Sequence, residues 1–382
     1  MDKGTLDALL VKGVHLGATD IHFKAGDPPV YRISGKLRQV KEEGRLVPAD
    51  TEAICACLLD ADVGTERLRT VQEQDSSYSL QGIGRFRVNV YRQRGSLSCV
   101  LHVIPAEVPT IDGVGLPQTV KALAQHKQGI VLVTGATGSG KSTTLAAMVD
   151  HINRTDAVHV LTIEDPIEYL HRNIKASVSQ REVGPDTHAF KTALRAALWQ
   201  DPDVVLVGEM QDSETIDVAL RAAETGHMVF SVVQAADAVR AIDHVLGLFE
   251  ERERDRTRQR LADALCGMVS QRLVRCADGK GRVAVCEILV ASAEVQECIR
   301  EGRDADLKEI MGRSRSLYGM QTFEQHLEQL REQGIVPTSA ASAPVLNPGG
   351  GADSSHATDV SGEEAVRTIT DSETFFRGGG LS

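Results

Sequence analysis

The sequence predicts an α/β protein: a mainly parallel sheet wrapped by helices, preceded by a smaller α+β domain and followed by a disordered tail. Three observations predict it. From about Leu116, apolar strand-like runs alternate with helical segments, the pattern of a parallel sheet with crossover helices. One such run, Ile130-Val131-Leu132-Val133, leads into Gly135-Ala136-Thr137-Gly138-Ser139-Gly140-Lys141-Ser142, which fits G-x-x-x-x-G-K-[ST] without mismatch. Beyond Val336 the composition turns to Ser, Ala, Gly and Pro, and then to acidic residues, too poor in apolar side chains to offset the entropy of folding.

Taken in order, residues 1–108 read as the α+β domain. Asp20–Lys24, Val30–Ile33 and Lys36–Val40 are predicted strands, the last two separated by Ser34-Gly35. Thr51–Leu59 and Glu66–Gln72 are predicted helices, and Arg85–Tyr91 with Leu97–Ile104 a strand pair turning near Gly95. The Pro-containing stretch 105–117 reads as a connection, with the linker proper at 109–117. In the second domain, 118–337, the predicted strands are Gly129–Val133, Val158–Ile163, Val204–Val207 and Met228–Val233. The predicted helices are Ser142–Asn153, Thr187–Leu198, Thr215–Ala223 and Val239–Leu246. Further helical segments follow at Arg258–Leu273, Val295–Arg300, Leu307–Met311 and Met320–Gln333. Residues 338–382 hold six Asp/Glu against two Arg and form the predicted disordered acidic tail.

Composition narrows the function. Hydrophobic residues make up 42% of the 382, enough for a sizeable core. A net charge of −11 argues against a nucleic-acid surface as the main partner. Apolar runs such as Val204–Val207 fall far short of the ~20 residues needed to span a bilayer, and Met1-Asp2-Lys3-Gly4 does not begin a secretory signal, so a cytoplasmic protein is expected. The seven cysteines contain no C-x-x-C pair and suit neither zinc nor a disulfide framework; they read as reduced, mostly buried thiols.

The glycine-rich run carries the chemistry. A loop opening onto a helix N-terminus aims several backbone N–H groups and the positive end of the helix dipole at one spot, and glycines let the chain curl around phosphate oxygens. Gly135, Thr137, Gly138, Ser139, Gly140, Lys141, Ser142 and Thr143 are the candidate phosphate-binding residues. Lys141 would reach the β- and γ-phosphates of ATP, and the Ser142 hydroxyl would bind Mg²⁺. Three later segments belong with it. Leu161–Tyr169 places Glu164 at a strand C-terminus, and Asp203–Glu209 is an apolar strand ending in an acid, the way an NTPase supplies a carboxylate beside Mg²⁺ or the attacking water. Glu209 is the first candidate for polarising that water and a candidate Mg²⁺ neighbour. Glu164 is the second, and sequence does not separate their roles. His227, in Glu224-Thr225-Gly226-His227, is the third candidate catalytic residue.

With these motifs in place, the chain resembles the PilT/PilU family of type IV pilus retraction ATPases, within the wider secretion-ATPase superfamily. The resemblance runs from Ala18-Thr19-Asp20-Ile21-His22 to Tyr318–Phe323. It rests on the phosphate loop, the aspartate box Thr162–Glu168, the run Gln180-Arg181-Glu182-Val183-Gly184, the segment Asp203–Glu209, and the histidine-box start Thr225-Gly226-His227. It implies a RecA-like P-loop ATPase core after an N-terminal PAS-like domain, a homohexamer, and ATP at subunit interfaces with arginines of the N-terminal domain reaching the phosphates. Arg85, Arg87, Arg92 and Arg94 are the candidates for that contact, since a planar cationic fork suits charge on transferring phosphoryl oxygens. It also implies an inner-membrane pilus platform as partner, so a cytoplasmic protein peripheral to that membrane.

The chain departs from the family pattern in places. Gln234 stands where the family has its second histidine, seven residues after the first. His102 replaces a family arginine in Leu101-His102-Val103-Ile104-Pro105, and Glu294–Ile299 lacks the arginine of a motif tied to retraction. These changes, with the long tail, point to the accessory PilU type, which would work beside a partner retraction ATPase. The alternatives are a hydrolysis-impaired ATP-binding subunit that supports such a partner, or a pilus-assembly or secretion ATPase.

Overall fold

Two sheets organise the described residues. A computed structural model describes residues 1–33, 35–59, 68, 70–105, 107–279 and 281–338. The first sheet is antiparallel throughout, in the order β3-β2-β1-β6-β5-β4. Its strands are β1 (Ala18–Lys24), β2 (Val30–Ile33), β3 (Lys36–Gln39), β4 (Glu73–Leu80), β5 (Gly84–Gln93) and β6 (Ser96–Ile104). Helices α1 (Lys3–His15) and α2 (Pro48–Leu58) cover one face. Strand alternation sets that face: Phe86, Val88 and Val90 of β5 point into a core with Leu6, Leu10, Ile21, Phe23 and Ile54, while Arg85 and Arg87 point the other way. Each such side chain, fully buried, contributes roughly 1.5–3 kcal/mol. The sequence reading assigned neither α1 nor β4. In α1 the four buried positions, Leu6, Leu9, Leu10 and Gly13, sit at helical spacing. In β4, Glu73–Leu80, polar residues dominate and leave no apolar alternation to read.

The second sheet has the order β13-β12-β7-β11-β10-β8-β9. Strands β7 (Gly129–Gly135), β8 (His159–Glu164), β9 (Ser177–Glu182), β10 (Val204–Val207), β11 (Met228–Val233) and β12 (Leu265–Arg275) run parallel, and β13 (Arg282–Val290) pairs antiparallel with β12. Apolar cores lie on both faces, so the inner strands β7, β10 and β11 are buried at every position. The helices are α3 (Thr119–Ala124), α4 (Lys141–Thr155), α5 (Phe190–Ala197), α6 (Ser213–Glu224), α7 (Ala238–Gly247), α8 (Glu251–Ala264), α9 (Ala293–Arg300), α10 (Leu307–Arg313), α11 (Arg315–Tyr318) and α12 (Phe323–Glu332). The chain is an α/β protein with mixed sheets and a RecA-like core. Among the described residues no helix is long and apolar enough to cross a membrane.

One predicted element is overturned. Arg258–Leu273 was expected to be a single helix, but helix α8 ends at Ala264 and strand β12 begins at Leu265. Apolar cores cover both faces of β12, with Met268 in one and Val269 in the other, so its buried stretch shows no period-2 pattern to separate it from a buried helix. Gly267 marks the strand: a Cβ there would come within 2.6 Å of the Leu289 carbonyl oxygen on β13. Strands β9 and β13 also went unassigned. Of the connecting stretch 105–117, Ile111 and Leu116 are buried in the core of the second sheet. Of the predicted Glu66–Gln72 helix, residues 66, 67 and 69 lie outside the described residues, and Val71 and Gln72 are not helical; the acidic tail lies almost wholly outside them.

The outer edge of β13 is closed by the segment before and within α12. Gln321 exchanges backbone hydrogen bonds with Ile288 at 2.8 and 3.1 Å, and its side-chain amide donates to the Cys286 carbonyl at 2.9 Å. The Cys286 N–H donates to His326 Nδ1 at 2.9 Å. Side chains therefore complete the ladder where no further strand follows.

Candidate active site

The phosphate loop is built as its sequence requires. Strand β7 ends at Gly135, the chain loops through Ala136–Gly140, and α4 begins at Lys141. Gly138 and Gly140 adopt φ of +78° and +92°, a left-handed backbone that other residues rarely take. Gly135 has no room for a side chain: a Cβ would lie 2.4 Å from Ser139 Oγ and 2.6 Å from the Gln271 carbonyl oxygen. Lys141 folds back over the loop and donates from Nζ to the carbonyl oxygens of Gly135 at 2.9 Å and Ala136 at 3.0 Å. Burial pushes its pKa below the usual lysine value, against the pull of Glu209 and Glu168. The Ser139 hydroxyl, buried in the loop, has no hydrogen-bond partner among the described residues.

The loop opens on a cavity of about 560 Å³, within the range of small-molecule sites. Strands β8 and β10 are adjacent, so Glu164 at the end of β8 and Glu209 just past β10 stand at neighbouring C-terminal ends and both line this cavity. Glu164 accepts from Thr162 Oγ1 at 2.6 Å and from Gln180 Nε2 at 3.1 Å. Burial raises its pKa above the ordinary carboxylate value, the two hydrogen bonds opposing. Glu209 accepts from Gln211 Nε2 at 2.8 Å. Ser142 Oγ donates to Glu168 Oε1 at 2.7 Å, and Thr143 Oγ1 lies 3.0 Å from the Tyr169 hydroxyl, so the first turn of α4 is tied to the loop after β8. Gln234, past the end of β11, also lines the cavity.

Other predicted site residues lie elsewhere. His227 precedes β11, and Met228 pairs with Gly129 at the start of β7, so His227 sits at the N-terminal end of the parallel strands, opposite the end that carries the phosphate loop. Its Nδ1 faces the Ala222 carbonyl oxygen at 3.0 Å. The structure does not bring His227 to the cavity. Nor do the four arginines line it. Arg85 donates to Ser77 Oγ at 2.8 Å and to Glu182 Oε2 at 3.3 Å. Arg92 spans the carbonyl oxygens of Val71, Gly95 and Leu68 at 3.2, 2.8 and 3.1 Å. Arg94 occupies the β5–β6 turn at φ +51°. Arg87 is exposed, and its side chain makes no hydrogen bond or ion pair among the described residues.

The sequence reading missed several lining residues. Glu168 stood inside the quoted aspartate box but was not singled out, although a carboxylate four residues after Glu164 was a visible signal. Leu273 and Arg282 reach the cavity from β12 and β13, strands that were misread or unread. His171, pushed down to about 4 by burial, is a neutral lining group with no local sequence signal.

The residues fit a magnesium nucleotide. Left-handed backbone at Gly138 and Gly140, a Gly135 with no room for a Cβ, a helix N-terminus and a lysine over the loop form an anion cradle. Among the described residues no group of three or more His, Cys, Asp or Glu converges as a metal cage. Mg²⁺ binds through one or two protein oxygens plus phosphates, and the Ser142 hydroxyl with the carboxylates that line the cavity offers such oxygens.

Comparison with known proteins agrees with this geometry. The type II/IV secretion system protein family matches residues 5–338. The type IV pilus retraction ATPase PilT of Pseudomonas aeruginosa is 41% identical over 330 residues, covering 86% of this chain and 94% of that one. PilU, a type IV pilus ATPase of the same organism, is 37% identical over 332 residues, covering 86% of each. A crystal structure of the pilus retraction motor PilT with bound ADP superposes with a TM-score of 0.80 at 42% identity, covering 89% of this chain and 97% of that one. On this breadth of similarity and the intact phosphate loop, the chain belongs to the type II/IV secretion system protein family, in its PilT/PilU group of ATPases.

Proposed function

We propose that this protein is an ATP-hydrolysing motor subunit of type IV pilus retraction, acting as a homohexamer in the cytoplasm against the inner-membrane pilus platform. The observation that carries this is the juxtaposition of the phosphate loop with Glu164 and Glu209 on adjacent strand ends, in a chain 41% identical to a retraction ATPase. Lys141 and the loop N–H groups would bind the β- and γ-phosphates. Ser142 would hold Mg²⁺ with Glu209 alongside, and when bound the ion would neutralise charge on the transferring phosphoryl group. Ser142 donates to Glu168 in this structure, so that hydrogen bond would give way or be shared as the ion enters.

Glu209 and Glu164 are the candidates for orienting water. Glu209 lies beside Gln211 in the open part of the site. Glu164 is the more buried and must ionise against desolvation, which suits a group that holds position. Steady-state ATPase assays of the purified full chain test the proposal. Robust turnover that Lys141→Ala abolishes is the expected result; unchanged turnover in that variant would refute the assignment.

A second reading, a binding subunit that hydrolyses little and supports a partner motor, is favoured by Gln234. It lines the cavity and cannot carry the charge of an imidazolium. His102, the other substitution behind this reading, pairs with Asp20 at 3.1 Å within the first sheet. Identity of 41% to PilT and 37% to PilU leaves the accessory assignment resting on local substitutions. A gain in turnover with Gln234→His, or with an added partner ATPase, would support the second reading.

A further inference from the structure

Strand β9 forms one edge of the seven-stranded sheet, and two of its side chains do work that phosphate binding leaves unexplained. Gln180 and Glu182 lie two apart, hence on one face. Gln180 commits its whole amide to the loop after β8. Its Nε2 donates to Glu164 Oε1 at 3.1 Å and to the Tyr169 carbonyl oxygen at 2.9 Å, and its Oε1 accepts from the His171 N–H at 2.8 Å. Glu182 accepts at Oε2 from Arg85 Nη2 at 3.3 Å and, in a long contact of 3.5 Å, from the Ile167 N–H. Its backbone N–H is fixed by Asp186 Oδ2 at 2.8 Å.

Arg85 arrives from the other sheet. Its Nη2 also donates to Ser77 Oγ, and its buried Nε has no hydrogen-bond partner among the described residues. The Arg85 and Glu182 side chains are only 20% and 9% exposed, so removing either leaves a poorly solvated charge without its counterpart. The loop held this way carries Glu168, bonded to Ser142, and Tyr169, beside Thr143. An unbroken series of contacts thus joins β5 to the first turn of α4.

We propose that Gln180 and Glu182 are positioning residues that clamp the loop Glu164–His171, with Arg85 as their ionic anchor in the first sheet. A shift of the first sheet is then transmitted to the Glu168–Ser142 contact. The catalytic consequence rests on the ATPase reading; the clamp itself does not.

The test uses the full chain with Glu182→Gln, Arg85→Gln, the double variant, the charge swap Arg85→Glu/Glu182→Arg, and Gln180→Ala. Each single variant is expected to lower kcat roughly tenfold, because a displaced loop misplaces reacting groups, while KM for ATP stays within about twofold. The double variant should lose no more than the worse single, and the swap should regain part of the loss. Hydrogen exchange of the amides of residues 167–171, measured without nucleotide, should quicken in every variant except the swap. Losses that multiply in the double variant with a raised KM would make Arg85 an independent phosphate contact and overturn the proposal. Unchanged exchange across the loop would overturn it as well. An inactive wild-type protein would defeat the ATPase reading while leaving the exchange experiment decisive for the clamp.

Discussion

Lys141 and the glycines around it define the site residue by residue. The lysine Nζ spends two hydrogen bonds on neutral carbonyl oxygens of its own loop, and a phosphate would replace these with charge-assisted ones. Lys141→Ala should therefore lower kcat/KM by roughly 100-fold or more, about 2.7 kcal/mol of transition-state stabilisation; turnover kinetics measure it. The glycines separate by a steric criterion. Gly138 has a left-handed backbone but open space where a Cβ would go, so Gly138→Ala should cost only the backbone term of about 1 kcal/mol. Gly135 has both φ of +147° and two atoms within 2.6 Å of a built Cβ, one of them backbone of β12. Gly135→Ala should add about 1–3 kcal/mol of overpacking to the backbone cost. Urea denaturation of the two variants checks the order, and equal losses would count against the close approach.

The elements show where sequence reading succeeds and where it stops. Strands β1, β2, β3, β5, β6, β7, β8, β10 and β11 were legible because each is an alternation or an apolar run bounded by turn residues. The loop and the strand-end acids were legible for the same reason, since motif and context agreed. Strand β12 was not, because burial on both faces erases the period that distinguishes strand from helix, and with it went Leu273 and the hairpin carrying Arg282. The closure of the β13 edge was also invisible, since its partners are a side-chain amide and an imidazole from Gln321 and His326, 35 and 40 residues beyond Cys286. That closure makes a prediction at its own scale. Burial pushes His326 down to about 4 from the ordinary 6.5, and Arg315 adds to this. The unfolded chain therefore takes up a proton first as pH falls. The stabilisation is complete above about pH 6.5 and is lost progressively toward pH 4, on the order of 3 kcal/mol at full effect. His326→Gln retains an acceptor and cannot titrate, so the part of the stability loss between pH 6.5 and 4 that belongs to His326 should vanish in denaturant titrations of that variant. An unchanged pH dependence would remove His326 from the account.

At the scale of the whole molecule, a cavity lined by Glu164, Asp165, Glu168 and Glu209 has few cations of its own. Lys141 and Arg282 line it, and none of the four arginines of β5 and its turn reaches it within one chain. Arg85 is anchored to Glu182 and Arg92 to three carbonyl oxygens, which leaves two exposed arginines, Arg94 in the β5–β6 turn and Arg87. Arg87 is the one on the sheet itself, beside Arg85 on the face away from the core, and is the first candidate. If the active unit is a ring, each cavity would draw on Arg87 of an adjoining subunit, and the two halves of one site would be separable by mutation. Lys141→Ala chains would lose their own cavity while still offering Arg87; Arg87→Ala chains would keep the cavity and lose the donor. Each variant alone is expected to be nearly inactive, since a supplied arginine is worth roughly 10³–10⁵-fold in other phosphoryl-transfer sites. Random co-assembly in equal amounts would recreate an intact pair at roughly a quarter of interfaces, so the mixture should regain a substantial fraction of wild-type turnover. An arginine acting within its own chain predicts instead that the mixture shows only the average of two inactive proteins. Steady-state ATPase assays of the mixed preparation, beside each variant alone, decide between the two arrangements.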